Sequence, residues 1–164
     1  MLELQGIEFY TEKEIKNWSN SKTIIVAKSE QDVIDFYNNN LHKKEFTRLM
    51  LGKIGKDLGE RILGDTGINI RGYNIIINSD FEDHHGDAKK EEKLNQVVIN
   101  GSELARLPEY LENYSKVIVS ENKTKNNKPR LIFESDINGH RVIIENVSDN
   151  KNSIVLQTMY GKAK

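Results

Sequence analysis

The sequence predicts an α+β protein, with helices early in the chain and an antiparallel sheet after them. Three observations predict it. Phe46, Leu49, Met50, Ile54, Leu58 and Ile62 recur at helical spacing. Short β-branched runs crowd the last third of the chain. Between two of those runs stands Asn138-Gly139, the pair a two-residue hairpin turn needs because both positions take positive φ. Helices followed by a run of strands is the α+β pattern.

Taken in order, residues 1–28 are weakly patterned apart from Thr23 to Ala27, which reads as a short strand. Ser29 reads as an N-cap, with Glu30 and Asp32 in the first turn. Val33, Ile34, Phe36 and Tyr37 give the following helix its apolar positions, and Asn38-Asn39-Asn40 ends it. A second helix is expected from about His42 to Leu63. Gly52, Gly55 and Gly59 lie inside it, each costing on the order of 1 kcal/mol against Ala, so a break or a close helix contact is expected there. Gly64 to Gly67 is a stop and turn. Tyr73 to Ile77 and Val97 to Ile99 are strands. Ser102 caps a brief helix through Leu107, and Pro108 opens another helical turn. The remainder reads as an antiparallel meander: Val117–Val119, Arg130–Glu134, Arg141–Val147 and one closing strand from Ile154 to Tyr160.

The chain has 164 residues, 37% hydrophobic and 30% charged, which suits one globular domain or a domain with an extension. The two-part reading assigns 1–63 to an α-rich extension with a short strand and 64–164 to the second unit; one compact domain is the other reading. A net charge of −1 excludes a bulk polyanion binder. With no cysteine there are no disulfides, thiolate zinc sites or cysteine nucleophiles. No apolar run approaches the roughly 20 residues of a membrane helix. No basic-then-apolar signal is visible in Met1 to Tyr10, so a cytoplasmic location is expected. Charge is uneven: from Lys116 onward nine Lys/Arg stand against five Asp/Glu, an excess of four that could face phosphate or simply solvate a sheet.

Two constellations can carry chemistry. The first is Asp80-Phe81-Glu82-Asp83-His84-His85-Gly86-Asp87. A histidine there suits proton transfer near neutral pH, its unperturbed pKa being about 6.5. Imidazole with carboxylates also suits a divalent ion. A hydrated loop is the plain alternative, and its acids would repel a phosphate lying over it. Asp83-His84-His85 also suggests the DHH phosphoesterases, but the chain lacks their upstream aspartates and is too short. The second constellation is the closing strand, where Thr158 and Tyr160 alternate onto one face. Arg130, Arg141 and Glu145 come from neighbouring strands, and Lys162 follows. A hydroxyl, a phenol and cations on a sheet suit a phosphodiester and its charged transition state; a polar edge strand is the alternative.

The order of several segments resembles one family. They are Thr66 to Tyr73, His85-Gly86-Asp87, Gln96 to Ile99, Leu104 to Pro108, Asn113 to Val117, Val142 to Val147 and Leu156 to Tyr160. Together they resemble the phage-associated nuclease-like domains at the C-terminus of MuF-type minor head proteins, within the barnase, EndoU, colicin and RelE-like (BECR) group. The resemblance covers roughly residues 60–164.

It implies N-terminal helices packed on an antiparallel sheet of about four strands, and a toxin-like, metal-independent endoribonuclease without a cofactor. In such enzymes the ribose 2′-hydroxyl attacks the adjacent phosphate, with a base, an acid and a cation in attendance. By resemblance His85 matches the histidine before glycine, assisted by His84. Glu145 matches the acid of the third strand, and Thr158 and Tyr160 match the closing strand. Arg130, Arg141 and Lys162 are the substrate-binding cations. Phe81 stands where the family often has another histidine. The implied partners are RNA, tRNA among them, an immunity protein or a phage head protein, and no membrane. Carriage in a phage particle is the other expected location. A non-catalytic structural or protein-binding module on the same scaffold is the alternative function.

Overall fold

The computed structural model describes residues 6–40, 45–79, 96–97, 100–120, 130–135, 141–145, 152–156 and 159–162; of these, 96–97, 141–145 and 159–162 are described by their backbone pairing. Local capping chemistry starts the helices. Thr11 and Glu14 form a reciprocal capping box that opens α1 (Glu12–Asn17), a helix the sequence reading left unpatterned. The Ser29 hydroxyl accepts from the Asp32 amide at 3.3 Å and opens α2 (Glu30–Asn39) as expected.

The expected helix over 42–63 is corrected. Strand β3 (Arg48–Ile54) occupies its first part and α3 (Lys56–Thr66) only its second. Gly55 is the N-cap between them, and Gly67 ends α3. The physical reason is a register shift between Met50 and Gly52. The inserted residue, Leu51, is fully buried, as are Leu49 and Ile54. A bulge breaks two-residue alternation, so positions 49, 50, 51 and 54 are all buried, and Leu49, Met50 and Ile54 among them imitate helical spacing. Gly52 takes φ 154°, and a Cβ there would lie 2.9 Å from the Glu8 carbonyl oxygen, so only glycine fits.

The strands form two sheets. In the first, β3 pairs along one edge with β1 (Ile7–Glu8), antiparallel, and with β2 (Ile24–Val26), parallel. Its other edge takes β4 (Asn74–Asn78), and β4 takes β9 (Ser153–Val155) in parallel. The second sheet is antiparallel, in the order β5-β10-β8-β7-β6. Its strands are β5 (Gln96–Val97), β6 (Lys116–Val119), β7 (Leu131–Ser135), β8 (Arg141–Glu145) and β10 (Met159–Lys162). The α+β class therefore holds, with five strands among the described residues where about four were expected.

The single closing strand expected over 154–160 is also corrected: β9 and β10 belong to different sheets. Leu156 separates them, buried in the core, its amide bonded to the Ile76 carbonyl at 2.9 Å. The brief helix α4 (Gly101–Leu104) is capped by Asn100, whose side chain accepts from the Glu103 amide at 3.0 Å, and not by Ser102. Pro108 lies in the first turn of α5 (Leu107–Glu112) as expected. The Asn138-Gly139 turn lies outside the described residues.

One buried cluster joins these parts. It takes Leu49, Ile75 and Ile77 from the first sheet, Leu58 and Ile62 from α3, Leu107, Tyr110 and Leu111 from α5, and Leu131 and Phe133 from the second sheet. Position 63/64, the expected boundary, falls inside α3.

Candidate nucleic-acid interface

Strand β7 fixes the two faces of the second sheet. Leu131, Phe133 and Ser135 are buried, whereas Ile132 and Glu134 between them are half-exposed. The Leu131 face therefore packs on the core and the Ile132 face looks outward. Residues directly opposite on neighbouring strands share a face. Ile132 is opposite Glu145 and Ile118; Glu134 is opposite Ile143 and Lys116. On β10, Tyr160 is opposite Ile143 and Lys162 is opposite Arg141. Lys162 is also opposite Gln96 of β5.

The register thus brings four of the candidate residues onto the outward face. Tyr160 stands beside Ile143, whose same-face neighbours along β8 are Arg141 and Glu145. Diagonal neighbours of this kind lie about 7–8 Å apart between backbones, within reach of long side chains. Arg141 and Lys162 are directly opposite each other in register, a placement in which like charges disfavour a sheet.

Arg130 immediately precedes β7 and is half-buried, its Nε enclosed with no hydrogen-bond partner among the described residues. Its carbonyl accepts from the Ser120 amide at 2.8 Å. His84, His85 and Thr158 lie outside the described residues, as do Asp80, Phe81, Asp83 and Asp87. Sequence reasoning missed Glu134, Lys116 and Gln96, which share the outward face. The signal for Glu134 was present, because Arg130, Ile132 and Glu134 have one parity. Among the described residues no three His, Asp or Glu side chains gather as a metal-binding group.

A second cluster holds the start of β6 against α3. The Arg61 guanidinium lies 3.8 Å above the Tyr114 ring centre and donates to the Tyr114 carbonyl at 2.5 Å. The Tyr114 hydroxyl donates to Asp65 at 2.5 Å. Burial, together with this bond to a carboxylate, pushes the Tyr114 phenol above its ordinary range. The phenol therefore stays protonated at neutral pH and acts as a structural donor. Trp18, the single tryptophan of the chain, meets Tyr10 edge to face at 5.0 Å. The Tyr10 hydroxyl in turn contacts the Gly52 carbonyl at 2.9 Å and Asn74 at 2.8 Å, so this aromatic pair packs the N-terminal segment onto the first sheet.

The scaffold is α+β, and its second sheet is antiparallel with one face turned outward from the core. The family model described as phage-Barnase-EndoU-ColicinE5/D-RelE like nuclease3 matches residues 52–164. The chain belongs to this family of phage-associated BECR nuclease domains. No curated protein and no solved structure matches it significantly. No described helix is long and apolar enough to cross a membrane.

Proposed function

We propose that the protein is an endoribonuclease that cleaves RNA without a metal ion on the outward face of the second sheet. The observation that carries this reading is the direct opposition of Arg141 and Lys162 on one face of a nuclease-family domain. Two opposed cations are stabilised by a bound anion, and a phosphodiester supplies one. In the proposed reaction His85, assisted by His84, takes the proton of the ribose 2′-hydroxyl. The 2′-oxygen bonds to phosphorus and the bond to the 5′-oxygen breaks. Glu145 serves as the second acid–base group and returns a proton to the leaving oxygen. Thr158 and Tyr160 contact the scissile phosphate, and Arg130, Arg141 and Lys162 steady its developing charge. The products are a 2′,3′-cyclic phosphate and a 5′-hydroxyl. A toxin role, with tRNA among the substrates and an immunity protein as its restraint, fits this chemistry, as does a place in the cytoplasm or in a phage particle.

A second reading rests on Phe81, which stands where the family often carries a histidine. On that reading the same scaffold is a non-catalytic phage structural or protein-binding module. Purified protein is incubated with total tRNA and mixed RNA in EDTA and read on a denaturing gel. Discrete cleavage that survives chelation and vanishes in the His84→Ala/His85→Ala protein supports the first reading. Cleavage only with added divalent metal transfers the chemistry to the acidic loop. A folded protein that leaves every RNA intact supports the binding module.

A further inference from the structure

The start of β3 carries an aromatic ring and a cation together. Phe46 is 43% exposed, and among the described residues it is the only aromatic in the group of large exposed hydrophobics. The Arg48 guanidinium lies over its ring, 5.5 Å from the ring centre. Arg48 is half-buried and takes part in no ion pair among the described residues. A guanidinium without a carboxylate keeps its donors for another acceptor.

The backbone beneath this pair is held from both sides. Thr47, between the two residues, is buried. Its amide donates to the Ser79 hydroxyl at 2.9 Å, and its carbonyl accepts from the Ser79 amide at 2.8 Å. On the other side the Arg48 amide donates to the Thr23 carbonyl at 2.7 Å. Arg48 is opposite Asn78 of β4 in register. The chain that carries the ring and the cation is therefore ordered before any partner arrives, which lowers the cost of binding.

A ligand that uses both groups presents a flat apolar face beside a negative charge. An unpaired nucleotide does so: its base stacks on an aromatic ring and its phosphate meets a cation. A duplex hides its base faces in the stack and would use the guanidinium alone. An acidic peptide would likewise leave the ring unmatched. The matched family model begins at residue 52, so Phe46 and Arg48 lie in the part of the chain that the family does not specify.

We propose that Phe46 and Arg48 form a subsite for one unpaired nucleotide of single-stranded RNA. The base stacks on the Phe46 ring and its phosphate bonds to the Arg48 guanidinium. The subsite stands on the first sheet and is additional to the outward face of the second. It rests on the reading of RNA as the ligand of this protein, and not on cleavage.

The test measures fluorescence anisotropy of a labelled single-stranded 2′-O-methyl RNA oligonucleotide, which lacks the attacking hydroxyl, titrated with the full chain. An abasic oligonucleotide of the same length is the comparison. The expected result is that Phe46→Leu weakens binding of the base-bearing strand about fivefold or more and leaves the abasic strand unaffected, because a leucine is apolar but cannot stack. Phe46→Trp is expected to retain the affinity and to show quenched indole fluorescence when the strand binds. Arg48→Gln is expected to flatten the log–log salt dependence by about 0.7, as loss of one contact to single-stranded phosphate requires. The proposal is overturned if the base-bearing strand does not bind, if Phe46→Leu binds it as tightly as the parent chain, or if Phe46→Leu weakens the abasic strand equally. Binding that depends on Phe46 in a chain that leaves unmodified RNA uncut sinks the ribonuclease reading and upholds the subsite.

Discussion

Two glycines of α3 are expected to respond oppositely to the same substitution. A Cβ at Gly59 would lie 2.8 Å from Arg71 Cβ and 3.0 Å from Arg71 Cα. Those atoms belong to the backbone and the root of the side chain, so they cannot swing aside as a guanidinium would. Gly59 is buried at this contact. At Gly64, in the same helix, a Cβ would meet nothing within 4 Å. In a helix interior Ala is favoured over Gly by about 1 kcal/mol. Forcing an atom into a closed contact costs about 1–3 kcal/mol. Gly64→Ala is therefore expected to stabilise by up to about 1 kcal/mol, and Gly59→Ala to destabilise by about 1 kcal/mol net. The difference of roughly 2 kcal/mol corresponds to about 4–8 °C in Tm for a chain of this size. Thermal denaturation followed by circular dichroism reads both variants directly. If Gly59→Ala raised Tm as much as Gly64→Ala, the close packing of α3 on Arg71 would be refuted.

Further outcomes follow from single contacts. Asn100→Ala is expected to lower stability by about 1 kcal/mol by removing the cap of α4, and Ser102→Ala to leave it nearly unchanged; urea denaturation separates the two. Burial raises the phenols of Tyr10, Tyr110 and Tyr114, holding their protons in the folded state. A raised folded pKa gives stability that is full below the ordinary tyrosine value of about 10 and is lost as pH climbs above it. Tyrosine absorbance is accordingly expected to titrate late in the native protein, and early titration of all six tyrosines would contradict the burial. Lys162→Ala is expected to weaken RNA binding and to flatten its salt dependence by about 0.7 in the log–log slope, as loss of one contact to single-stranded phosphate requires. An unchanged slope would remove Lys162 from the interface. Glu145→Gln is expected to reduce kcat for RNA cleavage by about 100-fold or more with little change in KM, the signature of a lost proton-transfer group.

Local chemistry was readable from the chain alone. Ser29 begins α2 because its hydroxyl satisfies an amide three residues on, an interaction confined to neighbours in sequence. The strand at Tyr73–Ile77, the helical turn opened by Pro108 and the α+β order were legible for the same reason. So was the family, because its segments keep their order along the chain. Part of the candidate site was legible too. Arg141, Glu145, Tyr160 and Lys162 share one face because alternation along β8 and β10 has period two and their register joins them.

What the chain could not announce depended on partners distant in sequence. Leu49, Met50 and Ile54 read as one helical face, and only the pairing of β3 with β2 and β4 makes them a bulged strand. Ile154 to Tyr160 read as one strand, because nothing local says that Ile154 pairs with Ile75 while Met159 pairs with Ile144. Asn100 prevailed over Ser102 as a cap because it stands in extended backbone just before the helix, where its side chain accepts from the Glu103 amide. Glu134 joined the outward face, and β6 became an edge, only when the order of strands was fixed. Hydrogen bonds between neighbours are decided by the residues that make them. Strand order, bulges and free edges are decided by long-range pairing, whose energy depends on the whole sheet being assembled.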